Sequence, residues 1–349
     1  MPPSLRTGRR DTRRRFQHSR SFACLPALFV IAGSAGFARC ATAAQKPVKL
    51  EHSVYAMGTE YAIALYGPNA TMLEGAADQA SEEAKRLDRM LSNYIPDSEL
   101  SKVNREAYDH PVQVSPELFD LLVACMRYSR ESNGAFDITV GPLMKIWGFY
   151  KGSGHLPHRA EIRTALQHMG YRNVELDAAH HTVRFKKPGM SLDPGGIGKG
   201  YAVAKMVSVL RANGVDSGLV SGGGSSIYGI GTPPNEARGW YVRIRDPKDE
   251  NETAAVVYLK DNSLSTSGNY EKFFYAEGKL YSHIMDPRTG YPATGMLSVS
   301  IIAPRTLDSE VWAKPYYILG RQWAARHKPG DFRVLLCEDK PGAKCEWLP

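Results

Sequence analysis

The spacing of apolar residues along the chain predicts a mixed set of elements. Residues 54–66 alternate in part and are rich in Tyr, Ile and Leu, the pattern of a strand. Ala76, Ala80, Ala84, Leu87 and Leu91 recur at three- and four-residue steps, so 73–90 reads as a helix. Ser115-Pro116 followed by Glu117 opens a second helix, which Asn133-Gly134 closes. A short helix at 161–169 stops at Gly170, and 183–185 is a short strand. Val203, Met206, Val207 and Leu210 mark one face of a further helix ending at Asn213-Gly214. Strands are predicted at 217–220, 241–244, 254–259, 280–284 and 297–302, and an apolar helix at 311–319. No repeat or linker divides the body. The pattern fits one α+β domain built from antiparallel hairpins and not a regular βαβ alternation.

The chain has 349 residues, enough for one large domain, and its net charge of +8 resembles a nucleic-acid signal. The charge is unevenly placed. Residues 1–44 hold eight arginines and one acid, whereas the remainder carries 36 basic and 35 acidic residues. The body therefore has no net attraction to polyanions, and no nucleic-acid partner is expected. The basic leader contains Thr12-Arg13-Arg14-Arg15-Phe16, a twin-arginine pattern, then a short apolar stretch and the small residues Ala41-Thr42-Ala43. Residues 1–43 read as an export signal and 44–349 as the mature domain, with a periplasmic destination. The apolar stretch is short for a permanent span. An uncleaved leader is the one route to membrane association. Arg39 before Cys40 argues against lipidation. Beyond the leader, Cys125 sits in an apolar helical run and reads as a core thiol, whereas Cys337 and Cys345 lie close enough in a polar tail to permit a disulfide.

Two glycine-rich segments bear on chemistry. Asp193-Pro194-Gly195-Gly196-Ile197-Gly198-Lys199-Gly200 leads into a helix, where free backbone N–H groups suit phosphate. It is neither a P-loop, since Gly200 follows Lys199, nor a dinucleotide fingerprint, since Tyr201 stands where the third glycine belongs. Alone, it is as compatible with a capping turn as with a phosphate site. Gly222-Gly223-Gly224 reads as a strand-to-strand turn. His155, His158, His180 and His181 lie in turns without the partners that zinc requires.

Four further segments alter this picture. They are Met57-Gly58-Thr59; 134–142 (GAFDITVGP) with Trp147-Gly148-Phe149; Ser265-Thr266-Ser267-Gly268-Asn269-Tyr270; and 283–292 (HIMDPRTGYP). In this order, and with 193–201, the chain resembles the ApbE family of FAD:protein FMN transferases across most of its body. The resemblance implies an α+β fold related to the T-fold. It also implies cleavage of FAD with release of AMP, attachment of FMN to a Ser or Thr hydroxyl of another protein, and assistance by a divalent metal, usually Mg²⁺. The implied acceptors are flavin subunits or domains of membrane electron-transfer complexes. It implies FAD contacts from Met57, Tyr94, Ala135, Phe136, Asp137, Asp193, Lys199 and Ile284. His283 would act as acid/base or pyrophosphate contact with Lys199 beside it, and Gly196 would offer a carbonyl to the metal.

One segment departs from that family pattern. The family carries Asp-x-x-x-Thr as metal ligands before an apolar run to Gly. Counting back from Gly320, Glu310 stands at the Asp position and Lys314 at the Thr position. An ammonium cannot ligate Mg²⁺ and repels it. Pro315 also disfavours helix at Lys314. Three readings stay open. A one-residue slip would let Asp308 and Glu310 share the metal; Lys314 would replace it electrostatically or point away; or the protein would bind FAD without transferring it. A non-catalytic FAD carrier and an FAD pyrophosphatase are the alternative functions.

Overall fold

A computed structural model describes residues 46–152 and 154–349. Its frame is an eight-stranded antiparallel sheet whose spatial order is the chain order. The strands are β1 (Val48–Ala56), β2 (Thr59–Gly67), β3 (Ser217–Gly222), β4 (Ser226–Ile230), β5 (Asn262–Gly268), β6 (Met296–Ala303), β7 (Arg333–Glu338) and β8 (Glu346–Trp347). Every neighbouring pair is antiparallel. The sheet is thus a simple meander into which the other elements are inserted.

Between β2 and β3 lie α1 (Ala70–Leu91), α2 (Glu99–Glu106), α3 (Pro116–Glu131), α4 (Gly141–Ile146), α5 (Arg159–Gln167) and α6 (Gly198–Ala212), with a small three-stranded sheet. Between β4 and β5 stands the hairpin of Trp240–Arg245 with Thr253–Leu259. Two small hairpins separate β5 from β6, the first pairing Phe273–Ala276 with Lys279–Ser282. Helix α7 (Thr306–His327) joins β6 to β7.

Local chemistry explains the boundaries. Asn69 caps α1 by accepting from Met72 N at 2.8 Å, and Ser115 caps α3 with Pro116 in its first turn. The alanines and leucines read from the sequence form the buried stripe of α1, with Leu73, Ala76, Ala80, Ala84 and Leu87 fully buried. Each large side chain so buried contributes on the order of 1.5–3 kcal/mol. The core on this side packs α1, α3 and α6 against the sheet, and a second core packs α7 against β6 and β7.

Three expectations change. The single strand at 54–66 is a hairpin, turned at Met57-Gly58, both at positive φ (51° and 71°). Met57 occupies a backbone region that residues other than glycine rarely adopt. The helix expected at 311–319 begins at Thr306, runs through Lys314 and Pro315, and breaks at Gly320 (φ 80°) before continuing to His327. Burial of Ala313, Tyr316 and Tyr317 outweighs the local preference against helix before proline. The strand expected at 280–284 is shorter, Lys279–Ser282. Cys337 and Cys345 are disulfide-bonded, and Cys125 is a buried free thiol. The export signal, with its cleavage site, lies outside the described residues. Among these residues, no helix is long and apolar enough to cross a membrane.

Candidate functional site

The glycine loop sits where α6 crosses α7. Asp193 caps the short turn Pro194–Gly196 by accepting from Gly195 N at 2.6 Å, and α6 starts at Gly198. Glycine is needed here for close approach. A Cβ on Gly196 would stand 3.1 Å from the Phe136 ring, and one on Gly198 would stand 3.0 Å from the Met57 methyl. A Cβ on Gly200 would be 2.6 Å from Glu310 Cβ. The loop thus brings together Met57 from the β1–β2 turn, Phe136 from the segment after α3, and Glu310 of α7.

Lys199 donates from the first turn of α6 to Ser225 Oγ in the β3–β4 turn. The adjacent Ser226 donates to Glu310 Oε2. Lys314, one helical turn beyond Glu310, donates to its Oε1 and its carbonyl oxygen, both at 2.8 Å. The Lys314 side chain retains 20% exposure and that of Glu310 4%. Burial opposes ionisation of Glu310, but Lys314, Lys199 and the hydrogen bonds hold its carboxyl below the usual range. Burial, helped by Lys199, pulls the Lys314 ammonium below its ordinary value against the attraction of Glu310.

His283 follows the strand Lys279–Ser282. Its backbone N–H and its Nδ1 both point at the Lys272 carbonyl, at 2.9 and 3.1 Å. A carbonyl only accepts, so Nδ1 carries the proton and Nε2 keeps its lone pair. Burial pushes the imidazole down to about 4, and the charges of Lys199, Lys272 and Lys314 add to the effect. His283 is therefore a neutral base in a cationic setting.

The aromatic residues lie at the loop's other flank. Tyr94 is 70% exposed and stands edge-on to Tyr150, ring centroids 6.0 Å apart. They border a cavity of about 330 Å³ with Asn93, Asn104 and Ser191. Tyr150 is raised by burial and by the neighbouring Asp193 charge, and burial likewise raises Asp193. Asn104, which the sequence reading did not single out, pins this flank. Its amide donates to Asn93 Oδ1 and Leu192 O at 3.0 Å, and its oxygen accepts from Leu192 N at 2.7 Å. Lys272, Ser225 and Ser226 also escaped the sequence reading, because an isolated Lys or Ser carries no periodic signal.

Other residues named from the sequence make internal contacts. Asp137 accepts from Thr139 N, Thr139 Oγ1 and Tyr171 N at 2.7–2.9 Å, so its carboxylate is engaged internally. Ala135 is buried beside it. Ile284 packs in the α7 core, and its carbonyl accepts from Ala293 N at 2.8 Å. Asp308 does not join Glu310. Two residues apart on a helix, their side chains diverge by about 200°. Asp308 instead accepts from Tyr128 OH at 2.6 Å and from Arg305 at 2.7 and 3.0 Å.

The donor set does not suit a divalent cation. Both oxygens of Glu310 are hydrogen-bonded, one to Ser226 and the other to the Lys314 ammonium. Asp308 is committed elsewhere, which removes the slipped arrangement. Among the described residues, no three His, Cys, Asp or Glu side chains cluster as ligands.

The profile of the ApbE family matches residues 57–335. The chain belongs to the ApbE family. An FAD:protein FMN transferase of Treponema pallidum is 34% identical over 302 residues, covering 81% of this chain and 83% of its own length. One from Salmonella typhimurium is 31% identical over 308 residues, covering 86% and 87%. The ApbE protein of Thermotoga maritima superposes with a TM-score of 0.79 at 30% identity, over 86% of this chain and 96% of its own. The apo flavinyl transferase ApbE of Pseudomonas stutzeri superposes with a TM-score of 0.75 at 26% identity, over 86% and 94%. The α+β architecture anticipated from the ApbE resemblance is therefore the observed one.

Proposed function

We propose that this ApbE-family chain is an FAD:protein FMN transferase acting on a flavoprotein acceptor. The observation that carries the reading is the arrangement around His283. A neutral imidazole with a free Nε2 is held on the Lys272 carbonyl, feels the charges of Lys199, Lys272 and Lys314, and stands edge-on to Phe149, the neighbour of the cavity-lining Tyr150. Lys199 and Lys272 suit the dianionic diphosphate of FAD, and Tyr94 and Tyr150 offer faces to a flat ring.

In the reaction, the acceptor's Ser or Thr oxygen attacks the FMN-side phosphorus. The P–O bond to the AMP phosphate breaks, AMP leaves with the bridging oxygen, and the hydroxyl proton passes to His283 Nε2. The Lys272 carbonyl holds the imidazole in the tautomer that can accept it. Lys199, steadied by Ser225, and the first N–H groups of α6 hold the diphosphate in line. Met57 and Phe136 wall the loop against water.

The finer reading is of an acceptor in a periplasm-facing membrane electron-transfer complex, with the enzyme exported folded by its twin-arginine leader. The leader's arginine pattern supports this.

The test is intact-mass measurement of an acceptor domain carrying a Ser/Thr flavinylation segment, incubated with the protein and FAD. A gain of FMN less water with stoichiometric AMP is expected. AMP with free FMN would make the protein a pyrophosphatase. Bound FAD without AMP, with a second acceptor also failing, would make it a carrier.

A further inference from the structure

We propose that the Lys314 ammonium, held on Glu310, donates its remaining N–H to the FAD diphosphate while Lys199 and Lys272 supply the net positive charge, so that this protein works without a divalent cation. The inference rests on the transferase reading above. Lys314 stands on the same face of α7 as Glu310, one turn on, and its ammonium is held by the Glu310 carboxylate and carbonyl. Glu310 is in turn fixed by Ser226 and pressed against Gly200 of the glycine loop. The ammonium is thus clamped by two acceptors, which leaves one of its three N–H groups free, and its side chain keeps 20% exposure.

A divalent ion at this point would have to displace a charged donor from a buried carboxylate, and would find no second carboxylate, because Asp308 is bound to Tyr128 and Arg305. Glu310 offsets the single charge of Lys314, so the net positive charge offered to a diphosphate comes from Lys199 and Lys272, both of which act on His283. The same atoms therefore account both for the poor metal site and for a diphosphate site that is complete without metal.

The experiment measures FAD affinity and Mn²⁺ binding, the latter by electron paramagnetic resonance, and AMP release in the presence of an acceptor domain carrying a Ser/Thr flavinylation segment. The wild type is expected to bind FAD equally well in excess EDTA and in Mg²⁺, to release AMP in both, and to leave Mn²⁺ free. Lys314→Met is expected to weaken FAD binding by about ten- to a hundredfold, the loss of one charge-assisted contact. Because Lys314→Met strands a buried carboxylate, the Glu310→Gln/Lys314→Met pair serves as a fold-safe variant and should lose FAD affinity in the same direction.

AMP release only in Mg²⁺, with Mn²⁺ bound by the wild type, would overturn the inference while leaving the transferase reading in place. AMP release in neither condition, with FAD affinity insensitive to chelator and lowered by Lys314→Met, would sink the transferase reading and leave Lys314 as a donor to the diphosphate. Unchanged FAD affinity in both variants would also overturn the inference.

Discussion

Replacing Gly200 by Ala tests whether the close crossing of α6 and α7 sets the site. Gly200 lies in the first turn of α6, and an added Cβ would stand 2.6 Å from Glu310 Cβ, 3.0 Å from its Cγ and 3.1 Å from the Thr306 carbonyl oxygen. Relief to ordinary contact requires the helices to separate by roughly 1 Å, since C–C contacts settle near 3.5–4.0 Å. Alanine gains about 1 kcal/mol of helix propensity over glycine, whereas overpacking costs about 1–3 kcal/mol. Net destabilisation of about 0–2 kcal/mol is expected. The functional cost is larger. Glu310 and Lys314 would move relative to Lys199, and a displacement of this size can cost about a hundredfold in turnover. Gly75→Ala is the matched control. It sits on the exposed side of α1 with nothing within 4 Å, so it should be stabilising by about 0.5–1 kcal/mol with turnover unchanged. The assays are thermal unfolding and AMP release. If Gly200→Ala raised Tm as Gly75→Ala does and kept full turnover, the claim that this crossing positions the charge pair would be refuted.

Further outcomes follow from the same geometry. The His283 value is pushed from 6.5 down to about 4, so the unfolded chain binds the proton first as pH falls. The stability tied to neutral His283 should be full above pH 6.5 and lost on acidification toward pH 4, and His283→Gln should flatten the urea midpoint across that window. Asp308→Asn should destabilise the fold by about 1–3 kcal/mol through its Tyr128 and Arg305 contacts, read from the urea midpoint, while FAD affinity holds. Asn104→Ala releases the Asn93 and Leu192 loops together. It should raise the Kd for FAD by titration and increase amide exchange at Leu192.

The fold was legible wherever one periodicity ran uninterrupted. The stripe of α1 and the caps of α3 appear in the structure as the sequence implied, because their burial is local and regular. The β1–β2 turn was missed although Gly58 carries turn chemistry, because Met57 before it is a residue type that rarely takes positive φ and so hid the two-residue turn. The small strand Phe273–Ala276 was missed because its residues alternate too briefly. At the site, the ordered motifs located the glycine loop, Phe136 and His283. What they could not give was the direction of each carboxylate. Asp137 and Asp308 looked like Asp193 and Glu310 in the sequence. All four are buried, and their partners set them apart: Thr139, Tyr171, Tyr128 and Arg305 hold the first two, whereas Gly195 of the glycine loop holds Asp193, and Ser226 and Lys314 hold Glu310. Pro315 lies inside the helix that the apolar run at 311–319 predicted, its local preference outweighed by the buried tyrosines beside it.

The insertion of the helices into a meander has a consequence for biosynthesis. Met57 lies near the start of the folded body, and the charge pair on α7 follows more than two hundred residues later. Between them come the glycine loop and His283, each on a different insertion. A nascent chain halted before Lys314 holds only part of the proposed flavin site. Tight FAD capture would then serve as a receipt for a finished chain, separating complete molecules from truncated ones before any acceptor is met.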